Sequence, residues 1–132
     1  MIKIGKYEGV NSDITAEHFP VTGKGKVAIN VELWWPNRYF NNGDEVIAAL
    51  AKEKPDYRFA ELPEGLALGA AQPELQRQFP IAIMGSKSIW HHAGGRDFAC
   101  LGRGDSRRGL YLYWLEGGFD GAWRFAVVRK QS

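Results

Sequence analysis

Hydrophobic and polar residues alternate most clearly between Val27 and Trp35, and this pattern predicts a β-strand. Successive side chains of a strand point to opposite faces of a sheet, so each alternating set shares one face. One face holds Val27, Ile29, Val31, Leu33 and Trp35, and the other holds Ala28, Asn30, Glu32 and Trp34. Pro36 and Asn37 end the predicted strand.

After Asn42 the spacing of apolar residues changes from a period of two to the period of a helix. The apolar stripe consists of Val46, Ile47, Leu50 and Ala51. Asn42 can cap the first turn, and Glu45 follows three residues later, as in a capping box. Pro55 closes the run because the residue before a proline avoids the α region. The pattern predicts one main amphipathic helix over about 43–54 that packs on a sheet.

Short apolar runs separated by glycine-rich turns fill the C-terminal part of the chain, which is typical of an antiparallel meander. Strands are predicted at 81–84, 88–92, 97–101, 110–116 and 122–130. The segment 102–109 is predicted as a polar loop, and 117–121 as the turn of a hairpin that joins the last two strands. Further strands are predicted at 2–7 and 57–62 and a short helix at 73–79, whereas 63–71 follow no recognisable period.

The strand predicted at 110–116 is apolar on both of its faces, since Leu110, Leu112 and Trp114 alternate with Tyr111, Tyr113 and Leu115. Such a strand needs cover on both sides. The predicted helix covers one side, and the other needs a second layer, a ligand or a partner chain. We therefore expect a single α+β domain over 1–132, with a curled, mainly antiparallel sheet of five to seven strands.

Composition and charge narrow the classes of function. The chain has 132 residues, one cysteine and a formal net charge of +2, so neither a disulfide framework nor a multi-cysteine zinc site is expected. The balanced charge argues against nucleic acid as a partner. No stretch is long and apolar enough for a membrane span or a signal peptide, which favours a cytoplasmic protein. No motif calls for a cofactor or a metal.

The second face of the 27–35 strand offers a candidate ligand-binding surface. Trp34 can supply apolar area for stacking, Glu32 can accept hydrogen bonds from hydroxyl groups, and Asn30 adds an amide. A sugar or a small polar molecule is the ligand chemistry that this face favours. The alternative interpretation is an ordinary solvated face with one exposed aromatic side chain.

The second candidate is His92, because Asp97 and Cys100 follow it across a glycine turn. His92 with either residue would give two metal ligands or an activated thiol. Two ligands do not make a metal site, and His91 points to the opposite face of the strand. Cys100 alternates with Phe98, which is typical of a small buried side chain.

The glycine-rich segment 102–109 contains Arg103, Arg107 and Arg108 and is a candidate patch for an anion or a partner. The alternative interpretation is a hairpin tip with solubilising charges. Single-stranded nucleic acid is a further hypothesis for these arginines, although the balanced net charge speaks against it.

Together these features predict a non-enzymatic binding domain that takes a small ligand or a partner on an aromatic-lined sheet face. The aromatic content of 13%, with five tryptophans, supports this hypothesis. One alternative is a homodimer or protein-interaction module that uses the same face. Another is a small enzyme with Glu32 or His92 as a general base in an apolar pocket.

Overall fold

A computed structural model of the protein describes residues 9–10, 30–72, 74–104 and 107–130. The elements are β1 (Gly9–Val10), β2 (Val31–Trp34), α1 (Gly43–Glu53), β3 (Tyr57–Phe59), α2 (Leu62–Ala71), α3 (Leu75–Gln78), β4 (Ile81–Ile83), β5 (Ile89–His92), β6 (Gly95–Gly104), β7 (Arg107–Trp114) and β8 (Arg124–Arg129). The strand predicted at 2–7 and the first part of the strand predicted at 27–35 lie outside the described residues.

The eight described strands form one sheet. Six of them follow one another in the order β1-β7-β6-β4-β8-β2. The strands β5 and β3 extend the line of β4, with β5 paired to β6 and β3 paired to β8. Among the strand pairs of the described residues, only β1–β7 and β4–β8 are parallel. Seven described strands have three or more residues, and the prediction of an α+β fold with a mainly antiparallel sheet is confirmed.

The predicted hairpin between the last two strands is wrong. In the structure β7 pairs with β6, and β8 pairs with β2, β3 and β4 instead. Phe119, in the segment that joins β7 to β8, is fully buried and exchanges two backbone hydrogen bonds of 2.8 Å with Phe40. These contacts anchor the connection away from the β7 ladder, so that the chain enters β8 on the other side of β6.

The strands β6 and β7 are longer than predicted because the supposed loop continues their ladder. Gly102 pairs with Gly109, Arg103 with Arg108, and Gly104 with Arg107. Glycine and arginine carry little apolar surface, so the period-two signal ends before the hydrogen-bonded strands do.

Helix α1 agrees with the prediction in position and in its cap. The Asn42 side chain accepts a hydrogen bond of 3.0 Å from the backbone N–H of Glu45. Val46 and Leu50 are buried against the sheet. The backbone N–H of Gly43 donates to the carbonyl of Leu115 at 2.6 Å, which joins the start of the helix to the chain beyond β7.

The second face of the sheet is covered by α2 and α3. Leu62, Leu66 and Leu68 of α2 share one apolar cluster with Ile81, Ile83, Leu101 and Leu110, and Leu75 of α3 packs against it. A Cβ placed on Gly65 would lie 2.4 Å from Cδ1 of Ile83, so the helix approaches β4 as closely as glycine permits. The second layer that the two-sided apolar strand requires is therefore formed by α2 and α3. Helix α2 occupies the segment 63–71, which follows no recognisable period in the sequence.

Two faces of the sheet can now be named by the helices that cover them. The α1 face carries Phe98, Cys100, Tyr111, Tyr113, Phe125 and Val127 together with Val46 and Leu50 of α1. The α2 face carries Ile81, Ile83, Ala99, Leu101, Leu110 and Leu112. The faces alternate along β6 and β7 as the sequence pattern predicts.

Candidate ligand-binding cleft

The predicted ligand-binding face at Asn30, Glu32 and Trp34 is divided in the structure. Trp34 is only 6% exposed and packs on Phe125 with ring centroids 5.7 Å apart. Glu32 is exposed and accepts hydrogen bonds of 3.2 and 3.3 Å from the hydroxyl of Tyr57, while Asn30 is exposed beside it. The tryptophan ring therefore belongs mainly to the core and leaves little surface on which a ligand could stack.

The structure brings His92 and Asp97 together and separates both from Cys100. Nε2 of His92 lies 3.3 Å from Oδ2 of Asp97, and Nδ1 accepts a hydrogen bond of 3.1 Å from the backbone N–H of Gly94. Nδ1 therefore serves as a hydrogen-bond acceptor for the backbone of the turn between β5 and β6. Cys100 lies on the α1 face, whereas Asp97 lies on the α2 face, because odd and even positions of β6 alternate.

The thiol of Cys100 has the properties of a core side chain. It is buried in the cluster of the α1 face, and this burial raises its pKa to about 12. A thiol with that pKa is neutral at physiological pH, whereas the thiolate is the nucleophile and metal ligand. The activated thiol that the sequence offered as an interpretation has no support in this environment.

The predicted anion patch lies at the β6–β7 tip. Arg103 and Arg108 are register partners and Arg107 is opposite Gly104, directly beyond the pair formed by Gly102 and Gly109. Their side chains are outside what the structure describes. Their backbone positions place three arginines at one end of the sheet.

A cleft of about 370 Å³ opens at this same end of the sheet. It lies where the segment from α3 to β4 meets aromatic side chains of the α1 face. Its lining includes Gln76, Phe79, Cys100, Gly102, Tyr111 and Trp123, and we call it the Tyr111 cleft. None of the four predicted ligand-binding residues lines it.

The cleft lies on a part of the α1 face that α1 does not reach, since no residue of the helix lines it. The helix begins at the other end of the β6–β7 ladder, where Gly43 bonds to Leu115 and Asp44 pairs with Arg96. From there it runs toward β3, across the strands rather than along them. Tyr111 and Tyr113 of β7 stay half-buried.

Two glycines lie beneath the ring of Tyr111, and one of them, Gly102, lines the cleft. A Cβ on Gly109 would lie 2.1 Å from the hydroxyl oxygen of Tyr111, so the ring folds back over this residue. A Cβ on Gly102, its partner on β6, would meet the same ring at an ordinary 3.6 Å. The Tyr111 hydroxyl has no hydrogen-bond partner within the described part of the chain.

Gln76 is a buried polar residue in the lining of the cleft. The residue is 2% exposed, and its Nε2 donates to the carbonyl oxygens of Gly102 at 2.8 Å and Gly109 at 3.0 Å. These two bonds fix the orientation of the amide. The Oε1 atom is consequently buried with no hydrogen-bond partner among the described residues.

An aromatic cluster forms the inner wall of the cleft. Trp123 contacts Tyr113 and Phe119 with ring centroids 4.9 and 5.1 Å apart. The hydroxyl of Tyr113 donates a hydrogen bond of 2.6 Å to the carbonyl of Gly118, and burial raises its pKa. The wall is thus largely aromatic, and the polar tip of Tyr113 is hydrogen-bonded.

Comparison with known proteins adds no family or relative to these observations. No family model, curated protein or solved structure matches the chain. Among the described helices, none is long and apolar enough to cross a membrane. The described side chains also contain no group of three or more histidine, cysteine or acidic residues that could hold a metal ion.

Proposed function

We propose that the protein is a binding domain that takes a small, planar, largely apolar molecule in the Tyr111 cleft. A volume of about 370 Å³ is within the range of small-molecule sites, roughly 300 to 1,000 Å³. The observation that carries the proposal is the buried, unpartnered Oε1 of Gln76. A buried acceptor without a partner is costly, and a ligand N–H or O–H that displaces the lining side chains over it would satisfy it.

The chemistry of the lining favours binding over catalysis. Its described polar side-chain groups are the amides of Gln76 and Gln78, the hydroxyls of Tyr111 and Tyr113, the indole N–H of Trp123 and the Cys100 thiol. No carboxylate or imidazole is among these lining residues, and the pKa of the thiol is raised to about 12. General acid–base catalysis uses a group that titrates near the working pH.

Filling the cleft tests this proposal. Gly102→Val places two methyl groups in the cleft, at a position where a Cβ meets only ordinary contacts. Gly121→Val is the matched control, since a Cβ there meets Asn37 at 3.5 Å and Gly121 does not line the cleft. Planar aromatic fragments are screened by thermal shift, and binding is located by NMR from the Trp123 indole N–H and the Gln76 amide.

We expect fragments that perturb both signals in the wild type and bind Gly102→Val at least about tenfold more weakly. Gly121→Val should retain wild-type affinity. If Gly102→Val is poorly folded, Gly102→Ala makes the same comparison with one methyl group. Fragment binding that leaves both signals unmoved, or that survives the filled cleft unchanged, would contradict the proposal.

The homodimer alternative on the predicted face stays a prediction, and the exposure of three aromatic side chains elsewhere supports an interface between copies. Trp35, Tyr39 and Trp114 are large aromatic residues with exposed fractions of 50%, 64% and 51%. Tryptophan and tyrosine are enriched in protein interfaces. Light scattering at high protein concentration distinguishes a dimer from a monomer.

A further inference from the structure

A carboxylate lies between two tryptophans on the α2 face of the sheet. Asp97 of β6 has Trp90 of β5 as its register partner on one side and Trp114 of β7 on the other. Side chains directly opposite each other on antiparallel strands have Cβ atoms about 4.5–5.5 Å apart. The three side chains therefore form one row across three strands, and we call it the Trp114 row.

One end of the Trp114 row is fixed to the core and the other end is open. Trp90 is half-buried, packs on the apolar cluster of the α2 face and stacks on His92 with ring centroids 4.5 Å apart. The side chain of Asp97 is 20% exposed, and Trp114 is 51% exposed. The indole of Trp114 therefore offers a ring face to a ligand beside a partly accessible carboxylate.

The carboxylate of Asp97 has unused hydrogen-bonding capacity. Nε2 of His92 lies 3.3 Å from its Oδ2 but makes no hydrogen bond with it, and the imidazole carries charge only when protonated. Within the described part of the chain, no other N–H or O–H group donates to Asp97. An ionised carboxylate can accept several hydrogen bonds, so its oxygens remain available to a ligand.

Carboxylates outnumber cations around the exposed indole. A Cβ on Gly95 would lie 2.5 Å from Nε1 of Trp114 and 3.1 Å from Oε2 of Glu116, so this second carboxylate adjoins the ring. Glu116 and Asp44 share one guanidinium, that of Arg96, and the Trp114 row adds a third carboxylate. The chain as a whole has a formal charge of +2, so the negative surplus is local, and it attracts cations to this end of the sheet.

We propose that the Trp114 row binds an alkylammonium cation, at a site separate from the Tyr111 cleft. The cation lies on the face of the Trp114 indole and beside the carboxylate of Asp97. The quadrupole of an aromatic ring attracts cations, tryptophan is the strongest of the aromatic residues in this respect, and quaternary ammonium groups are recognised in this way.

Two other kinds of ligand fit the Trp114 row less well. A metal ion needs several ligands, and the described residues contain no group of three or more histidine, cysteine or acidic side chains that could hold one. A neutral sugar could stack on the indole, but it would gain nothing from the negative surplus. An alkylammonium group uses both the ring and the charge, since its surface is apolar and its charge is positive.

A cation and its neutral isostere test the inference directly. The probes are choline and 3,3-dimethylbutan-1-ol, in which a carbon atom replaces the charged nitrogen. NMR titrations follow the backbone amide at position 114 and the indole N–H of Trp123. Asp97→Asn removes the charge, and Trp114→Leu removes the aromatic face. Trp35→Leu is the matched control, because Trp35 is 50% exposed and lies outside the Trp114 row.

We expect choline to bind the wild type at least about tenfold more tightly than the alcohol, and to move the signal at position 114 but not that of Trp123. Asp97→Asn and Trp114→Leu should each weaken choline binding by about threefold or more, and Trp35→Leu should leave it unchanged. Added salt should also weaken it, because the attraction is electrostatic at a partly exposed site.

Three results would overturn the assignment. They are an alcohol that binds as tightly as choline, choline binding that neither variant of the Trp114 row weakens, and choline that moves only the Trp123 signal or neither signal. Methyl glucoside serves as the sugar probe, and its binding more tightly than choline would also overturn the proposal. The Nα-acetyl amide of trimethyllysine then distinguishes two sources of the cation, since tighter binding than choline indicates a methylated lysine of a partner and weaker binding a free small molecule.

Discussion

At the scale of single residues, the cleft depends on which positions lack a side chain. Tyr111 folds over Gly109, where a Cβ would lie 2.1 Å from its hydroxyl oxygen. Gly102 stands beside it with 3.6 Å to the same ring. The two glycines are register partners on the same face of the sheet. An added Cβ would clash with the Tyr111 ring at Gly109 but not at Gly102.

Alanine at Gly109 and at Gly102 is expected to change the free energy of unfolding differently. Gly109→Ala should lower the free energy of unfolding by about 1–3 kcal/mol, because the tyrosine ring must move. Gly102→Ala should leave it unchanged or raise it by up to about 1 kcal/mol, since alanine loses less backbone entropy on folding. Urea denaturation of both variants measures the difference, and equal destabilisation would contradict the described position of the Tyr111 ring.

Residue-level alternation could be predicted from the sequence, but burial could not. The pattern correctly assigns Glu32 and Trp34 to one face and Cys100 to the same face as Phe98. It does not show that α1 covers Trp34 or that Gln76 reaches the sheet from another element. Period two specifies the face, whereas cover depends on contacts between residues distant in sequence.

At the scale of elements, α2 is a helix whose sequence shows no alternation of apolar and polar residues at helical spacing. Its ten residues include two glycines and a single charged side chain, and apolar residues surround much of its axis. The contact of α2 with β4 is made through Gly65, which has no side chain. It therefore does not appear in the sequence as a regularly spaced apolar stripe. Its start is set by a capping interaction, in which the Glu64 carboxylate accepts from the backbone N–H of Glu61 at 2.8 Å.

The ion pair at this helix start predicts a pH dependence. Hydrogen bonds of 2.8 Å from Arg58 lower the pKa of Glu64 below its ordinary value of 4.5. The folded state therefore favours the ionised carboxyl group, and this stabilisation is present above pH 4.5 and lost as pH falls through the lowered pKa. Glu64→Gln should cost about 1 kcal/mol at neutral pH and flatten the acid limb of the stability curve.

The matched control for this prediction is Glu53→Gln. Glu53 also pairs with an arginine, Arg38, but both side chains are about two-fifths exposed. Exposed pairs contribute little because water screens them. Urea unfolding at neutral pH and at about pH 3.5 compares the variants. An acid limb that is identical in wild type and Glu64→Gln would show that this carboxylate is not linked to folding.

At the scale of the whole molecule, the described helices cover much of the apolar surface of the sheet. The prediction that both faces of 110–115 need cover is met by α1 on one side and by α2 and α3 on the other. The remaining opening is lined by no residue of α1. The sequence could predict that cover was required, but the position of the gap depends on where α1 crosses the sheet.

The central claim is that this gap is a binding site built around Gln76. The most direct test is a crystal structure of the protein soaked with the tightest-binding aromatic fragment. The account predicts a ring against Tyr111 and Trp123, with a ligand N–H or O–H donating to Oε1 of Gln76 at about 3 Å. A fragment bound at Trp114 or on the face of Asn30 and Glu32, with the cleft unoccupied, would contradict it.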